Sequence, residues 1–182
     1  MRVEAVQGDI TEQAVDVVVN AANGTLLGGG GVDGAIHTAA GPGLLAACHE
    51  LRDSRYPDGL PVGHAVATAA FDLPARWVIH TVGPNWNTGE RDPGMLTACY
   101  LSALAVAVDL GARTIAFPAI SAGAYGWDVD EAAQLAVGAL RSWQSGTFQD
   151  RDADGTPHGI VLARFVLFSP RVLGAFERAL AA

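Results

Sequence analysis

The sequence predicts an α/β fold in which a mixed, largely parallel sheet is covered by helices on both faces. Short β-branched runs alternate with longer segments rich in Ala and Leu, an order typical of strands joined by helical crossovers. The runs VDVVVN and TIAFPAI are continuously apolar, as are central strands buried on both sides. A chain of 182 residues, 50% of them hydrophobic, fits one domain that spans residues 1–182.

The expected elements follow from these runs and from local stop signals. Strands are predicted at 2–6, 15–20, 65–69, 77–82, 114–119 and 160–168, and helices at 34–40, 43–52, 94–109, 130–143 and 170–180. Pro42 and Pro170 suit first helical turns, and Gly111 suits a helix stop. Asp128 or Asp130 can cap the helix that follows.

Charge and composition exclude several classes of protein. The formal net charge is -8, which argues against broad electrostatic binding to nucleic acid or to an anionic membrane surface. All 11 basic residues are Arg, and without Lys the chain has neither a Walker-A phosphate loop nor Schiff-base chemistry. The five histidines are scattered without the spacing of zinc ligands, so we expect no metal and no cofactor.

The cysteines and the N-terminal run indicate a reducing compartment. Cys48 and Cys99 lie among small and apolar residues without paired spacing, so we expect two buried free thiols. The run MRVEAVQGDIT lacks the pattern of an export signal. The apolar stretch 95–108 falls short of the roughly 20 residues that a membrane span needs. We therefore expect a cytoplasmic protein without a membrane contact.

One segment departs from the predicted alternation. Residues 145–159 are polar and rich in Gly and Asp, and we expect an inserted loop or hairpin there. Asp150, Asp152, Asp154 and Gly155 match the first half of a calcium loop. The match ends there, because position twelve is Val161 where a calcium loop has a bidentate Glu. We therefore expect a solvated acidic loop.

The densest functional signal is the run NAANGTLLGGGGVDGAIH, residues 20–37. Four consecutive glycines, Gly28–Gly31, permit positive φ and close approach to a ligand, and the helix N-terminus behind them suits a phosphate. A flexible surface turn is the alternative. Asn20, Asn23 and Asp33 surround the glycines and favour a binding site, although Asp33 could simply cap the helix. His37 lies four residues after Asp33, where it could contact the carboxylate or pack in the core.

A second loop, ISAGAYGWD, follows an apolar strand and precedes a helix. Two such loops at the carboxyl ends of strands predict one shared crevice. Tyr125 and Trp127 could offer flat faces to a sugar or pack against a helix. Asp9 in GDIT could cap a short helix or bind a ligand's amino group. Phe168 in FVLFSP could stack on a base or fill the core.

These motifs, GDIT, NAAN, GGGGVDGAIH, HTVGP and ISAGAYG in this order, resemble the macrodomain family, and specifically the MacroD-type ADP-ribosyl hydrolases. The resemblance implies a three-layer α/β/α macrodomain. It also implies that Asn23 and Asp33 orient the distal ribose and the attacking water, with His37 in support. Adenine would lie on Phe168 beside Asp9 and the backbone of Ile10. The other implied ADP-ribose contacts are Asn20, Gly30, Gly31, Val32, Ser121, Ala122, Gly123, Ala124, Tyr125 and Trp127.

The implied activity is hydrolysis of an acyl linkage between ADP-ribose and Glu or Asp, and deacetylation of O-acetyl-ADP-ribose, without a metal. The implied partners are mono-ADP-ribosylated proteins, and nucleic acid only where it carries ADP-ribose. A monomer is expected. Similar proteins usually have larger side chains at Ala122 and Ala124, so the small ones here are expected to loosen the pyrophosphate site. They usually have an aromatic residue followed by Pro at Trp127 and Asp128, where Asp128 is expected to add a negative charge near the anionic ligand.

Two other functions compete with the hydrolase. A module that binds ADP-ribose without cleaving it would have the same pocket, and Asp33 in VDGAIH is the feature against it. A Rossmann oxidoreductase is disfavoured, because no G-x-G-x-x-G follows the first strand.

Overall fold

The computed structural model describes residues 1–146 and 159–182. Their six strands form one sheet in the order β1-β6-β5-β2-β4-β3. All neighbours are parallel except β3 and β4, which are antiparallel. The strand bounds are β1 Arg2–Gln7, β2 Val17–Ala22, β3 Ala65–Ala69, β4 Trp77–Val82, β5 Thr114–Phe117 and β6 Leu162–Leu167.

Helices cover both faces of this sheet. Their bounds are α1 Gly31–Ala40, α2 Pro42–Ser54, α3 Pro93–Asp109, α4 Val129–Ser145 and α5 Pro170–Ala181. Successive side chains of β2 point to opposite faces of the sheet and show which helices cover each face. Val17 and Val19 pack with α3, α4 and α5, whereas Val18 packs with α1 and α2. The predicted three-layer α/β/α fold with a mixed, largely parallel sheet is therefore confirmed.

An aromatic cluster under α3, α4 and α5 positions the end of β5. The rings of Tyr100, Phe117, Phe165 and Phe176 are fully buried, and successive centroids lie 5.4, 6.0 and 4.7 Å apart. The Tyr100 hydroxyl accepts a hydrogen bond from the Ile120 backbone N–H at 3.2 Å. Core packing thus sets where the loop after β5 begins.

Some boundaries differ from the prediction for local reasons. Helix α1 begins at Gly31, three residues early, because extended Gly30 serves as its N-cap. Strand β5 ends at Phe117, before Pro118, which has no N–H to donate to a ladder. Helix α4 continues to Ser145. Most of the predicted 145–159 insertion, including Asp150, Asp152, Asp154 and Gly155, lies outside the described residues.

Both cysteines are buried free thiols, as predicted. Burial raises the pKa of Cys48 and of Cys99 to about 11. Both therefore stay protonated near neutral pH, where a thiol is a poor nucleophile.

Within residues 1–146 and 159–182, no helix has the length and apolarity that crossing a bilayer requires. The same ranges contain no group of three or more His, Cys, Asp or Glu side chains arranged to bind a metal ion.

Candidate functional site

A cleft of about 280 Å³ opens at the carboxyl ends of β2, β4 and β5. This is the edge at which open α/β sheets bind ligands. Both predicted loops contribute to it, so the expectation of one shared crevice is confirmed. Its walls are Ala21, Ala22, Asn23, Gly29, Gly30, Gly31, Val32, Asp33, Gly83, Ala119, Ile120, Ser121, Gly123, Ala124 and Tyr125.

The N-terminus of α1 forms one wall of the cleft. Gly30, Gly31 and Val32 line the cleft, and no side chain caps the helix at Gly30. The N–H groups of a first helical turn lack partners within their own helix and carry partial positive charge. This wall therefore suits an anion such as a phosphate. Gly31 has φ of 59°, a conformation that glycine adopts without strain.

Asp33 lies at the floor of the cleft in the first turn of α1, with only 4% of its surface exposed. Its Oδ1 accepts a hydrogen bond of 2.7 Å from Asn20 Nδ2. His37 Nε2 lies 3.4 Å from the same oxygen, so of the two alternatives for His37, contact with the carboxylate and packing in the core, the contact is the one observed. With Oδ1 so engaged, Oδ2 is the oxygen available to a ligand or a water.

Asn20 occupies a different place from the one expected for a ligand contact. It is fully buried inside β2 and is not among the cleft residues. The predicted strand ended at Asn20, whereas β2 continues to Ala22. Asn20 therefore contacts Asp33 from below, and its assignment as a direct ADP-ribose contact is corrected to support of Asp33.

Gly29 leaves a gap between Asn23 and Asp33. A methyl group at Gly29 would lie 3.1 Å from both Asn23 Nδ2 and Asp33 Oδ2. Asn23 is anchored by its own turn, because its Nδ2 donates to the Gly28 carbonyl at 2.9 Å and its Oδ1 accepts from the Thr25 N–H at 3.0 Å. The second N–H of Asn23 Nδ2 remains for a ligand. The two predicted catalytic side chains thus face one small space.

The loop after β5 forms the opposite wall. Ser121 has φ of 64° and is 6% exposed. Among the described residues its Oγ is buried without a hydrogen-bond partner. Such strain and an unpaired buried hydroxyl are features of functional sites. Gly83 allows the Ser121 side chain to lie close to the backbone after β4, since a methyl group at Gly83 would lie 2.2 Å from Ser121 Oγ.

A neighbouring segment braces the same loop from outside. Asn87 Nδ2 donates to the Ala124 carbonyl at 3.0 Å, and the Trp86 N–H donates to the Tyr125 carbonyl at 2.9 Å. The Tyr125 N–H lies anti to the Ala124 carbonyl in a trans peptide, so it points away from Asn87. Although the side chains at Ala122 and Ala124 are small, hydrogen bonds to the carbonyls of Ala124 and Tyr125 hold the loop in place.

Tyr125 lines the cleft and is half-buried. Burial, and then the charges of Glu90 and Asp33, raise the pKa of its phenol. The hydroxyl therefore stays neutral near neutral pH and can donate to a ligand oxygen.

Trp127 differs from the expectation of a sugar contact. Its side chain is 2% exposed, and its Nε1 donates to the Pro84 carbonyl at 3.0 Å. It packs edge-on against Trp86 with ring centroids 5.2 Å apart. The packing alternative is thus the one observed, because the indole completes the core beneath the loop. Ala122 likewise packs against the core and is not a cleft residue.

Asp128 does not add a charge to the cleft wall. Its Oδ1 caps α4, accepting from the N–H groups of Asp130 at 3.1 Å and Glu131 at 3.0 Å. An Asp at this position is stabilised by the helix dipole. Asp128, which differs from the Pro of similar sequences, therefore serves as the N-cap of α4.

The predicted adenine contacts lie farther along the same sheet edge. Asp9 and Ile10 follow β1, and Phe168 follows β6. Asp9 Oδ1 caps a 3₁₀ turn through the Thr11 N–H at 2.8 Å, and Ile10 is 5% exposed. Phe168 is 88% exposed, which excludes the core alternative for its ring. Three strand spacings separate β1 from β2, about 14 Å, so a ligand on both regions must be elongated.

Sequence reasoning did not identify His80 as part of this site. His80 lies fully buried in β4, with Nδ1 3.2 Å from Asn20 Nδ2 and Nε2 3.0 Å from Thr68 Oγ1. Burial, and then the nearby His37, lower the pKa of His80 to about 3. The signal was present in the motif HTVGP, where a lone His interrupts an apolar strand.

We expect this buried histidine to make the fold sensitive to acid. In the unfolded chain a His has a pKa of about 6.5, so below that pH the unfolded state takes up a proton that folded His80 refuses until about pH 3. The free energy of unfolding should therefore fall as the pH drops from about 6.5. Urea unfolding at about pH 7, 5 and 4 measures this. The fall should be shallower in a His80→Asn variant, and equal falls would contradict the assignment.

Fold and site together define an α/β protein with a cleft at the carboxyl edge of its sheet whose walls suit an anion. A sequence model of the family described as Macro domain matches residues 19–136. The chain belongs to the macro domain family.

Individual relatives agree with this assignment. The chain is 52% identical over 175 residues to a macro domain-containing protein of Streptomyces nogalater, covering 96% of this chain and 90% of that protein. It is 56% identical over 137 residues to a protein of Escherichia fergusonii named O-acetyl-ADP-ribose deacetylase, covering 75% and 76%. A solved macrodomain of Oceanobacillus iheyensis with ADP superposes with a TM-score of 0.87 at 42% identity, covering 97% of this chain and 88% of that one.

Proposed function

We propose that this protein is an ADP-ribose-binding hydrolase that releases ADP-ribose from acyl linkages to Glu or Asp and deacetylates O-acetyl-ADP-ribose. The observation that carries the proposal is the buried carboxylate of Asp33, which faces the cleft between the α1 N-terminus and the anchored amide of Asn23. A relative that is 56% identical is named O-acetyl-ADP-ribose deacetylase, and a similar structure contains ADP. Both support the proposal.

The ligand is proposed to lie along the sheet edge from β1 to β2. Adenine stacks on exposed Phe168 beside Asp9. The pyrophosphate lies between two walls that supply N–H donors, the first turn of α1 and the loop that contains Ser121. The distal ribose then occupies the cleft above Asp33, within reach of the Asn23 amide. This order uses the elongated site along its whole length, because each part of ADP-ribose meets groups of matching chemistry.

The chemistry follows from this placement. For a glutamyl linkage, water attacks the anomeric carbon, the bond from that carbon to the acyl oxygen breaks, and the carboxylate leaves with the electron pair. Asp33 Oδ2 accepts the proton of the attacking water, and the ligand's own phosphate shares that role. Asn23 Nδ2 orients the ribose hydroxyls. A carboxylate is a good leaving group, so positioning and charge stabilisation supply the catalysis.

The linkage chemistry tests this proposal. Two peptides mono-ADP-ribosylated on Glu and on Ser should be incubated with the protein in EDTA, and released ADP-ribose followed by mass spectrometry. The glutamyl peptide should be cleaved and the seryl peptide should not, because an alkoxide is a much poorer leaving group than a carboxylate. Binding of ADP-ribose without release from either peptide would contradict the hydrolase and indicate a reader module.

The proposal extends to partners and cellular role. ADP-ribosylated proteins are the proposed partners, with nucleic acid included only where it carries ADP-ribose. Reversal of a covalent modification in the cytoplasm by a monomeric enzyme is the proposed setting. Light scattering of the purified chain measures the oligomeric state directly.

A further inference from the structure

We propose that His80 is a positioning residue for Asp33: its Nδ1 accepts a hydrogen bond from Asn20 and so fixes the Asn20 amide in the orientation that donates to the Asp33 carboxylate. The inference rests on the proposed function, since it concerns the carboxylate assigned there as the base. His80 itself lies beneath the cleft and is not among its walls.

Three successive contacts link the interior to the cleft floor. Thr68 Oγ1 lies 3.0 Å from His80 Nε2, His80 Nδ1 lies 3.2 Å from Asn20 Nδ2, and Asn20 Nδ2 lies 2.7 Å from Asp33 Oδ1. All four side chains are buried. Bulk water therefore does not compete for these contacts. Among the described residues Asn20 Oδ1 is buried without a hydrogen-bond partner, so Nδ2 alone links the Asn20 amide to its neighbours.

The chemistry of the four groups determines which group donates and which accepts in each of the three contacts. Ionised Asp33 only accepts, so Asn20 Nδ2 must donate to it. The other N–H of the same Nδ2 then meets His80 Nδ1, which must present a lone pair. The ring proton consequently sits on Nε2 and is directed at Thr68 Oγ1, with Cys48 Sγ also near at 3.8 Å. A neutral ring is what burial and the neighbouring His37 favour, since they lower the pKa of His80.

Reversing the Asn20 amide would disable Asp33. A half-turn would place Asn20 Oδ1 against Asp33 Oδ1, and two acceptors at that distance are compatible only with a protonated Asp33. A protonated carboxyl cannot take a proton from water. His80 opposes the half-turn by binding the second amide hydrogen, whereas an apolar neighbour leaves the amide with one contact and greater freedom to rotate. His80 thus affects the base through Asn20 and touches no substrate.

Two variants of nearly equal shape test this role. In His80→Asn, Oδ1 stands where Nδ1 stood and still accepts from Asn20; in His80→Leu, a methyl group of similar size cannot. We expect His80→Leu to lower kcat on the glutamyl substrate by about 10- to 100-fold, the scale typical of lost supporting hydrogen bonds. The Kd for ADP-ribose should change by less than about twofold, because the residues proposed to contact the bound ligand are unchanged. His80→Asn should recover most of the lost turnover.

The pair separates positioning from packing, because both variants leave the same space where the imidazole was. Equal losses of kcat in the two would overturn the proposal and assign His80 a packing role. Unchanged kcat in His80→Leu would also overturn it. Melting temperatures establish that each variant is folded at the assay temperature.

A spectroscopic measurement needs neither a variant nor activity. The ¹⁵N chemical shifts of the wild-type His80 ring should show a proton on Nε2 and a lone pair on Nδ1 from about pH 5 to about pH 9. A proton on Nδ1 would overturn the proposal. A wild-type chain that binds ADP-ribose without cleaving it would overturn the proposed hydrolase, and the ring spectra would still decide whether the Thr68–His80–Asn20 chain runs in the stated direction.

Discussion

Replacing Asp33 by Ala should lower the rate of ADP-ribose release from a glutamyl substrate by about 10²- to 10⁴-fold, the usual cost of losing a general base. The protein should still bind ADP-ribose, because the α1 N-terminus, the loop at Ser121 and Phe168 are untouched. Isothermal titration for the Kd and single-turnover mass spectrometry for the rate measure the two quantities separately. A large loss of rate with little change in Kd identifies a residue that acts on the reaction more than on ligand binding.

Asp33→Asn is the matched control for shape. It keeps the volume and the acceptor for Asn20 while it removes the charge, so its rate should be as low as that of Asp33→Ala. Asp53→Asn changes the charge by the same amount on an exposed part of α2 and should cleave at the wild-type rate. Wild-type turnover in Asp33→Asn would show that Asp33 is not the base.

Replacing Phe168 by Ala should weaken ADP-ribose binding by about 5- to 150-fold, since stacking on an aromatic side chain is worth about 1–3 kcal/mol per base. The same change should leave the free energy of unfolding nearly unaltered, because the ring is 88% exposed. Titration calorimetry and urea unfolding give both values from one preparation. An affinity loss without a stability loss is expected only if the ring serves a ligand.

Phe168→Tyr is the companion control, since it keeps an aromatic face at the same position and should retain the affinity. The ligand provides a second control. Ribose 5-phosphate, which has no adenine, should bind wild type and Phe168→Ala equally. A loss of affinity for both ligands would place Phe168 away from the base.

Pattern in the sequence was sufficient for the fold and for the edge of the sheet that forms the cleft. Apolar runs of strand length mark β2 and β5, and loops rich in Gly mark the places where their carboxyl ends open. Gly29, Gly30 and Gly31 line the cleft, so the glycine run was a direct signal. These features are patterns of neighbouring residues, so they can be recognised in the sequence without knowing which distant residues they meet in the fold.

The depth of single side chains could not be predicted in the same way. Asn20 and Trp127 both lie in conspicuous motifs, yet one supports Asp33 from below and the other packs beneath a loop. Burial depends on which residues lie opposite, and for Asn20 those include His80, 60 positions away in sequence. Phe168 shows the converse, because an aromatic at the end of an apolar strand is fully consistent with the core until the structure exposes it.

The fate of oxygen from labelled water tests the central claim most directly. A peptide mono-ADP-ribosylated on Glu should be cleaved in H₂¹⁸O and the released glutamyl carboxylate analysed by mass spectrometry. Attack at the anomeric carbon, with the water positioned by Asp33, predicts a carboxylate without ¹⁸O, since both of its oxygens come from the substrate. A carboxylate that carries one ¹⁸O would show attack at the acyl carbon and contradict the account.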